Sequence, residues 1–361
     1  MQARAVSPDE KDRSVAAAMK HHAAKTKKKR KSAAQKAVIT LMLLLVGCLG
    51  ALVFLAQRKA DREVIAKAGT SENADHSSQF IVYKGEQFPV IRNLSTVLLI
   101  GTDNFVDDTK QFAEETYWNP NLADFLTILI FDHDEKTVTP FQLNRDTICD
   151  VSRLDKQGKP YPPKREAITY AHMYGTGKDD SCLNTVRTVR NLLYNAPIDH
   201  YLAFTMDAIP LLNDLVGGVT LTLPEDIPDL GKEYVKGAEI TLRGSETLRF
   251  IRYREKNIGG SNWERMARHR LYFAGFTEAA RAAVADDQDF VIDAFKLIDP
   301  FLCTDLTVNN ISDMVSWLCE YEIKQAITPT GSIRLGESHY EFTINEVSLW
   351  KCIYQAYCRK A

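Results

Sequence analysis

"ADFLTILIFDHDEKTVTPFQLNRDT", Ala123 to Thr147, decides the architecture. Phe125–Phe131 is an apolar run interrupted only by Thr127. A short run of this kind reads as a strand buried on both faces. "DHDEK" makes a turn, and Thr137–Leu143 follows as an adjacent strand. The stretch closes on Asn144-Arg145-Asp146-Thr147, polar residues just past a strand end, where the loops of an α/β sheet carry function.

The same grammar extends outward. "TVLLIG" (96–101) is a further buried strand, and "GTDN" places Asp103 just past its end. "LAD" (122–124) sets Asp124 at the approach to the next strand. Residues 181–194 have helical spacing, with Leu183, Val186 and Leu193 on one stripe. "DHYLAFT" is a strand, and "MDAIPLLNDLVGG" a helix closed by Gly217 and Gly218. "VTLTLP" is again a strand, "GSETLRFIR" a short helix, and "WERMARHRLYFAGFTEAARAAVA" a long one. More helices fill 288–325. Strands alternating with helices indicate α/β layers.

The chain has 361 residues and a formal net charge of −2. Residues 1–36 hold eleven Lys/Arg against three acids, a surplus of eight that leaves the remainder at −10. A basic surface for nucleic acid is excluded for the body of the protein. The first 36 residues, Lys- and Ala-rich with almost no large apolar side chain, read as a disordered tail. "AVITLMLLLVGCLGALVFLA" (37–56) carries no charge and as a helix spans roughly 30 Å, the thickness of a bilayer core. The Lys/Arg excess before it predicts a cytoplasmic N-terminus, with everything after about residue 57 outside the cell membrane. Residues 57–90 read as a connector. Six of the seven cysteines then lie outside, without zinc spacing and with fifteen possible pairings. A Cys149–Cys182 disulfide is the expected one, since both flank the face that carries Asn144–Thr147.

Arg249–Arg270, "RFIRYREKNIGGSNWERMARHR", concentrates six arginines in 22 residues. If the chain leaves its helix extended at Arg252-Tyr253-Arg254, the two arginines point together. The helix beginning near Ser261 presents Arg265 and Arg268 one turn apart and adds its own N-terminal partial charge. Any one arginine is accounted for by an acid nearby, Glu246, Glu255 or Glu264. Six at once ask for a multiply charged anion, such as a pyrophosphate or phosphodiester held bidentately. Asp103, Asp124 and Asp146 beside Arg145 suggest a divalent metal bridging to that phosphate.

In their order, "VLLIGTDN", "ADFLTILIFDHDEKTVTPFQLNRDT", "ITYAHMYG", "PIDHYLAFTMDAIPLLNDLVGGVTLTL", "LRGSETLRFIRYR" and "ERMARHR" resemble the LytR–CpsA–Psr family over roughly residues 95–285. The resemblance implies an α/β/α sandwich with a central mixed sheet over 91–285, preceded by one transmembrane helix. It implies transfer of an anionic glycopolymer, of teichoic acid or capsular polysaccharide type, from undecaprenyl pyrophosphate to peptidoglycan. It implies further that magnesium assists and that the prenyl chain occupies an apolar tunnel. By motif, Asp103 and Asp124 fall on metal positions. Arg145, Asp146, Arg252 and Arg254 fall on catalytic ones. Arg145, Arg252, Arg254, Arg265 and Arg268 fall on phosphate-binding ones. Leu122, Phe125, Asn144, Asn262 and His269 depart from the family pattern. Those departures keep two other readings in play: a non-catalytic binder of prenyl phosphate or polymer that regulates or scaffolds wall assembly, and a pyrophosphatase acting on the same lipid. Residues 286–361, with Trp317, Trp350 and four cysteines, are expected as helical packing around the tunnel or a small extension.

Overall fold

The computed structural model describes residues 80–103, 119–253, 261–287, 290–336 and 339–358. The apolar run 37–56 and the basic tail lie outside them, and among the described residues no helix is long and apolar enough to cross a membrane.

Strands β1 (Phe80–Tyr83) and β2 (Glu86–Pro89) form a hairpin within the stretch expected as connector. Ile81 anchors it, fully buried in the core. Strands β3 (Leu94–Thr102), β4 (Ala123–Asp132) and β5 (Thr137–Leu143) follow as antiparallel neighbours. A hairpin of β6 (Ile148–Leu154) and β7 (Pro160–Ala167) leads into a short 3₁₀ segment, Ile168–Met173. Then come helix α1 (Asp179–Leu192), β8 (His200–Thr205), α2 (Ala208–Leu215), β9 (Val219–Thr222) and β10 (Glu239–Leu242). The chain continues with α3 (Ser245–Arg252), the 26-residue α4 (Ser261–Asp286) and α5 (Phe290–Ile298). It ends with β11 (Leu302–Thr304), α6 (Val308–Glu320), β12 (Glu322–Ile323), a hairpin of β13 (Gly331–Leu335) and β14 (Tyr340–Ile344), and α7 (Glu346–Tyr357).

The central sheet runs β11-β8-β3-β4-β5-β12. It is mixed: β8 is parallel to β3 and β12 to β5, and the other pairs are antiparallel. Pro140 is tolerated in β5 because the neighbouring segment calls on its carbonyl and not on an N–H: Ile327 N donates to Pro140 O at 2.9 Å.

Alternation along β3 sorts the two faces. Leu98 and Ile100 pack with Val189 of α1, with Leu193 just past its end, and with Leu349 and Ile353 of α7. Val97 and Leu99 pack with Ile311 and Met314 of α6 and with Phe273 of α4. On α4, Phe273 faces the sheet while its neighbour Tyr272 packs with Val219 and Phe250 in a third cluster. Helix α4 is thus a wedge, apolar on two sides. The α/β layers expected from the alternation are present, as a mixed sheet with helices on both faces. Residues 286–361 belong to the same compact unit, Glu72–Ala361, and contribute a β-hairpin as well as helices.

Candidate functional site: carboxylates and arginines at the end of an apolar cavity

Asp103 and Asp124 fall at adjoining strand ends because β3 and β4 are neighbours. Gly101 pairs with Phe125 and Thr102 with Ala123, so Asp124 is the extra residue of a β-bulge. Bulges re-aim a side chain, and they gather beside active sites. Asp124 therefore lies inside β4 and not in the loop expected for it, and Asp103 follows directly after Thr102 on the opposing strand. Asp103 Oδ1 is shut off from solvent and accepts no hydrogen bond among the described residues; Arg252 Nη2 stands 3.6 Å away. Asp124 Oδ1 accepts from Arg145 Nη1.

Arg145 sits in a loop that is bonded at every carbonyl. Thr147 N and Oγ1 donate to Asn144 O at 3.0 and 2.6 Å. Thr169 N donates to Arg145 O at 3.0 Å, Phe342 N to Asp146 O at 2.8 Å, and Ile168 N to Thr147 O at 2.8 Å. The Arg145 guanidinium is further aimed by Asp146, whose Oδ1 accepts from Arg145 Nε at 3.2 Å. Rigid support of this kind holds a guanidinium ready for an anion without reorganisation.

From the second cluster, α4 brings Asn262 and Arg265 to the same loop. Asn262 Nδ2 donates to Asn144 Oδ1, and Arg265 Nη2 donates to Asn262 Oδ1 at 2.7 Å. Arg252, the last residue of α3, is more than half exposed and points toward Asp103. Tyr253 takes the extended backbone expected at the helix exit; Arg254 lies outside the described residues. Arg268 stands behind the site. It is 1% exposed, its Nη1 and Nη2 donate to Glu225 Oε1 and Tyr253 O, and its guanidinium stacks 5.2 Å from the Tyr253 ring. Its fork is spent on protein, where it fixes the segment just after Arg252.

His269 and His172 are sequestered. Burial, and then the Arg265 charge, lower His269 from its ordinary 6.5 to about 3, and burial lowers His172 to about 4. Both imidazoles are neutral at neutral pH. The expected Cys149–Cys182 disulfide is absent, and both thiols are free and buried. Helix α1 meets β6 through Asn184 and Thr188, which bond to Ser152, so the register brings Cys182 to His172, 3.8 Å away, and not to Cys149.

Next to these charges opens a cavity of about 320 Å³ between the sheet and helices α2, α4, α5 and α6. Its walls are carbon almost throughout, with Leu99, Phe125, Leu202 and Phe204 from the strands and Phe273 and Phe295 from the helices. Gly101, Phe125 and Ile251 line it, and each is one or two residues from Asp103, Asp124 or Arg252. Gly101 leaves room that a Cβ would take, 2.8 Å from Phe125 Cβ. A larger cavity of about 730 Å³ shares Phe125, His269 and Phe273 with it and is lined also by Gln142, Arg270 and Lys324.

No group of three or more His, Cys, Asp or Glu able to hold a metal occurs among the described residues. Two carboxylates at adjoining strand ends, one with an oxygen lacking a donor, nevertheless fit Mg²⁺, which takes one or two carboxylates and completes its shell with phosphate oxygens and water.

Three features define the class: a mixed α/β/α sheet, an apolar cavity, and carboxylates and arginines at its end. The chain belongs to the LytR_cpsA_psr family, whose model matches residues 56–348. It is 27% identical over 221 residues to the polyisoprenyl-teichoic acid–peptidoglycan teichoic acid transferase TagU of Bacillus licheniformis, covering 61% of this chain and 63% of that one. To the transferase TagV of Bacillus subtilis it is 30% identical over 144 residues, covering 38% of this chain and 34% of that one. The crystal structure of B. subtilis TagV superposes with a TM-score of 0.55 at 20% identity, covering 73% of this chain and 96% of that one.

Sequence reasoning did not find Glu225, Phe342 or the Asn144–Asn262 contact. For Phe342 a signal existed, since "SIRLGESHYEFTI" is two short alternating runs around a turn. Nothing local joins Glu225 to Arg268.

Proposed function

We propose that the protein transfers an anionic glycopolymer, of teichoic acid or capsular polysaccharide type, from undecaprenyl pyrophosphate to peptidoglycan. The observation that carries this reading is the apolar cavity running up to Asp103, Asp124, Arg145 and Arg252. A prenyl chain fits carbon walls, and its pyrophosphate would then lie among the guanidiniums. Arg145 and Arg265, with Arg252 on the outer side, grip the phosphate oxygens, and Arg254 joins them by its place in the family motif. Asp146 orients Arg145. Asp103 and Asp124 would hold Mg²⁺, which when bound neutralises charge on the pyrophosphate. An acceptor hydroxyl attacks the polymer-linked phosphorus and gives up its proton to Asp146 or to solvent, the new oxygen–phosphorus bond forms, and the bond to prenyl monophosphate breaks. A loose transition state asks more of charge stabilisation than of a strong base.

The same reading includes a membrane anchor at Ala37–Ala56, an N-terminus in the cytoplasm and the catalytic domain outside. Protease added to intact cells should remove the domain and spare the tail; cleavage confined to the tail would sink that topology.

The deciding experiment gives the full-length protein in detergent a prenyl-pyrophosphate-linked glycan and peptidoglycan fragments. The expected products are glycan joined to peptidoglycan by a phosphodiester, and prenyl monophosphate. Phosphorylated glycan released to water at the same rate without acceptor would make the protein a pyrophosphatase. Tight binding with no turnover would make it a binder.

A further inference from the structure

The C-terminal hairpin β13–β14 reaches into the site. Phe342 N donates to Asp146 O at 2.8 Å, and Phe342 forms an isolated parallel bridge with Thr147. The Phe342 ring is 1% exposed and meets Trp263 edge to face, with centroids 5.3 Å apart and planes at 82°. Trp263 lies between Asn262 and Arg265 on the first turn of α4. One residue of the hairpin therefore grips the arginine loop with its backbone and the arginine helix with its ring. Gly331, in the partner strand, makes this possible, because a Cβ there would lie 2.6 Å from the Phe342 ring and 2.2 Å from Thr343 O.

The two elements so joined carry Arg145 and Arg265. Besides Phe342, the short contact between Asn262 and Asn144 links them. The amide contact joins side chains of the two elements, whereas Phe342 joins the backbone of the loop to a ring of the helix, so the elements are tied at two separate points. A pyrophosphate has two phosphates at a fixed separation, so two guanidiniums grip it well only at a matching separation. A monophosphate makes no such demand.

We propose that Phe342 is a positioning residue of the transfer site: it sets the spacing of Arg145 and Arg265 and thereby the preference for a pyrophosphate over a monophosphate headgroup. The proposal rests on the reading that the site binds a prenyl pyrophosphate. A residue that served packing alone would, when changed, lower stability and weaken both headgroups together.

The test titrates geranylgeranyl pyrophosphate and geranylgeranyl monophosphate into full-length protein in detergent micelles. It compares wild type with Phe342→Ala, Phe342→Leu and Trp263→Leu, with circular dichroism to establish folding. In the folded variants the preference for pyrophosphate should fall by about tenfold, the worth of one charge-assisted hydrogen bond, while monophosphate affinity holds. Phe342→Tyr should keep the wild-type ratio. If Phe342→Ala does not fold, Phe342→Leu and Trp263→Leu decide. An unchanged ratio in any folded variant lacking the ring contact overturns the proposal. Wild type that binds neither probe, or shows no preference between them, overturns instead the reading on which it rests.

Discussion

The side-chain amide of Asn262 donates to Asn144 Oδ1, 118 positions earlier in the chain, while its own oxygen accepts from Arg265 at 2.7 Å. Both asparagines were marked in the sequence as departures from the family pattern, and they prove to be one contact. Asn144 Oδ1 also accepts from Asp146 N at 2.9 Å. Asn144 therefore supplies an acceptor on one side, and Asn262 must supply a donor on the other.

Asn262→Asp removes that donor. A carboxylate would face Asn144 Oδ1 and hold part of the Arg265 charge for itself. Prenyl pyrophosphate should bind more weakly, on the order of 1 kcal/mol for one partly exposed charge, with transfer rate kept or raised. Titration at two salt concentrations and a timed turnover assay check this. Tighter binding by the variant would put residue 262 away from the anion. In a double-mutant cycle of Asn144→Ala and Asn262→Ala, the two changes should couple by about 1 kcal/mol in unfolding free energy. Additivity would mean that the contact carries no energy.

Arg268 makes a contrasting prediction. Because its fork is bonded to Glu225 and Tyr253 O, Arg268→Met should cost stability, about 3 kcal/mol for breaking a largely buried pair. Protein that remains folded should keep most of its affinity for prenyl pyrophosphate. Arg145→Ala should lose about 1.5–3 kcal/mol of binding even where the protein stays folded, in addition to the stability lost by leaving Asp124 and Asp146 without their partner. Unfolding curves and lipid titrations on the two variants separate the roles. If Arg268→Met melts like wild type and binds poorly, its assignment as a support is wrong.

The apolar cavity predicts dependence on chain length. Ala294 lines it from α5, and Ala294→Trp would occupy part of its volume. Long prenyl pyrophosphates should lose about tenfold or more in affinity, as for two CH₂ groups no longer buried at about 0.8 kcal/mol each. Short prenyl pyrophosphates should bind as before. Equal losses for both would place the chain elsewhere.

Acid should weaken the fold through its buried imidazoles. The unfolded chain takes up these protons near pH 6.5, whereas folded His172 does so only near pH 4 and His269 near pH 3. Between those values the unfolded state binds more protons, so stability is full above pH 6.5 and is lost as pH falls toward 4. His172 alone should contribute about 3 kcal/mol of that loss. Melting temperature followed from pH 7.5 to 4 should show the slope, and His172→Gln should flatten it. An unchanged slope in that variant would mean that other groups dominate.

The strands were legible because β3 and β4 carry short apolar runs bounded by turn residues, and β5 follows β4 across a tight polar turn. The carboxylates were legible as residues but not as a pair. Asp124 looks like a loop acid in one dimension, and only the register of β3 against β4 shows it bulged beside Thr102. The arginines were harder. Arg265 and Arg268 stand one helical turn apart and look alike in sequence. What separates them is a carboxylate at Glu225, 43 positions from Arg268, and no periodicity reports a contact of that range. The C-terminal hairpin went unread in a segment expected to be helical, and its place against the loop depends on a single bridge between Phe342 and Thr147.

The bulge at Asp124 has a further effect. Side chains along a strand alternate like the teeth of a zip, and one unmatched tooth shifts the phase of everything on one side of it. Deleting a single residue at the bulge would put the chain back in step and rotate its end by half a turn. Phe125, on the in-register side opposite Gly101, would stay at the hydrocarbon wall, while the chain leading into the site would exchange faces and turn away from the guanidiniums. The frontier between the greasy and the ionic halves of this protein is thus one peptide unit wide, and it is set by counting.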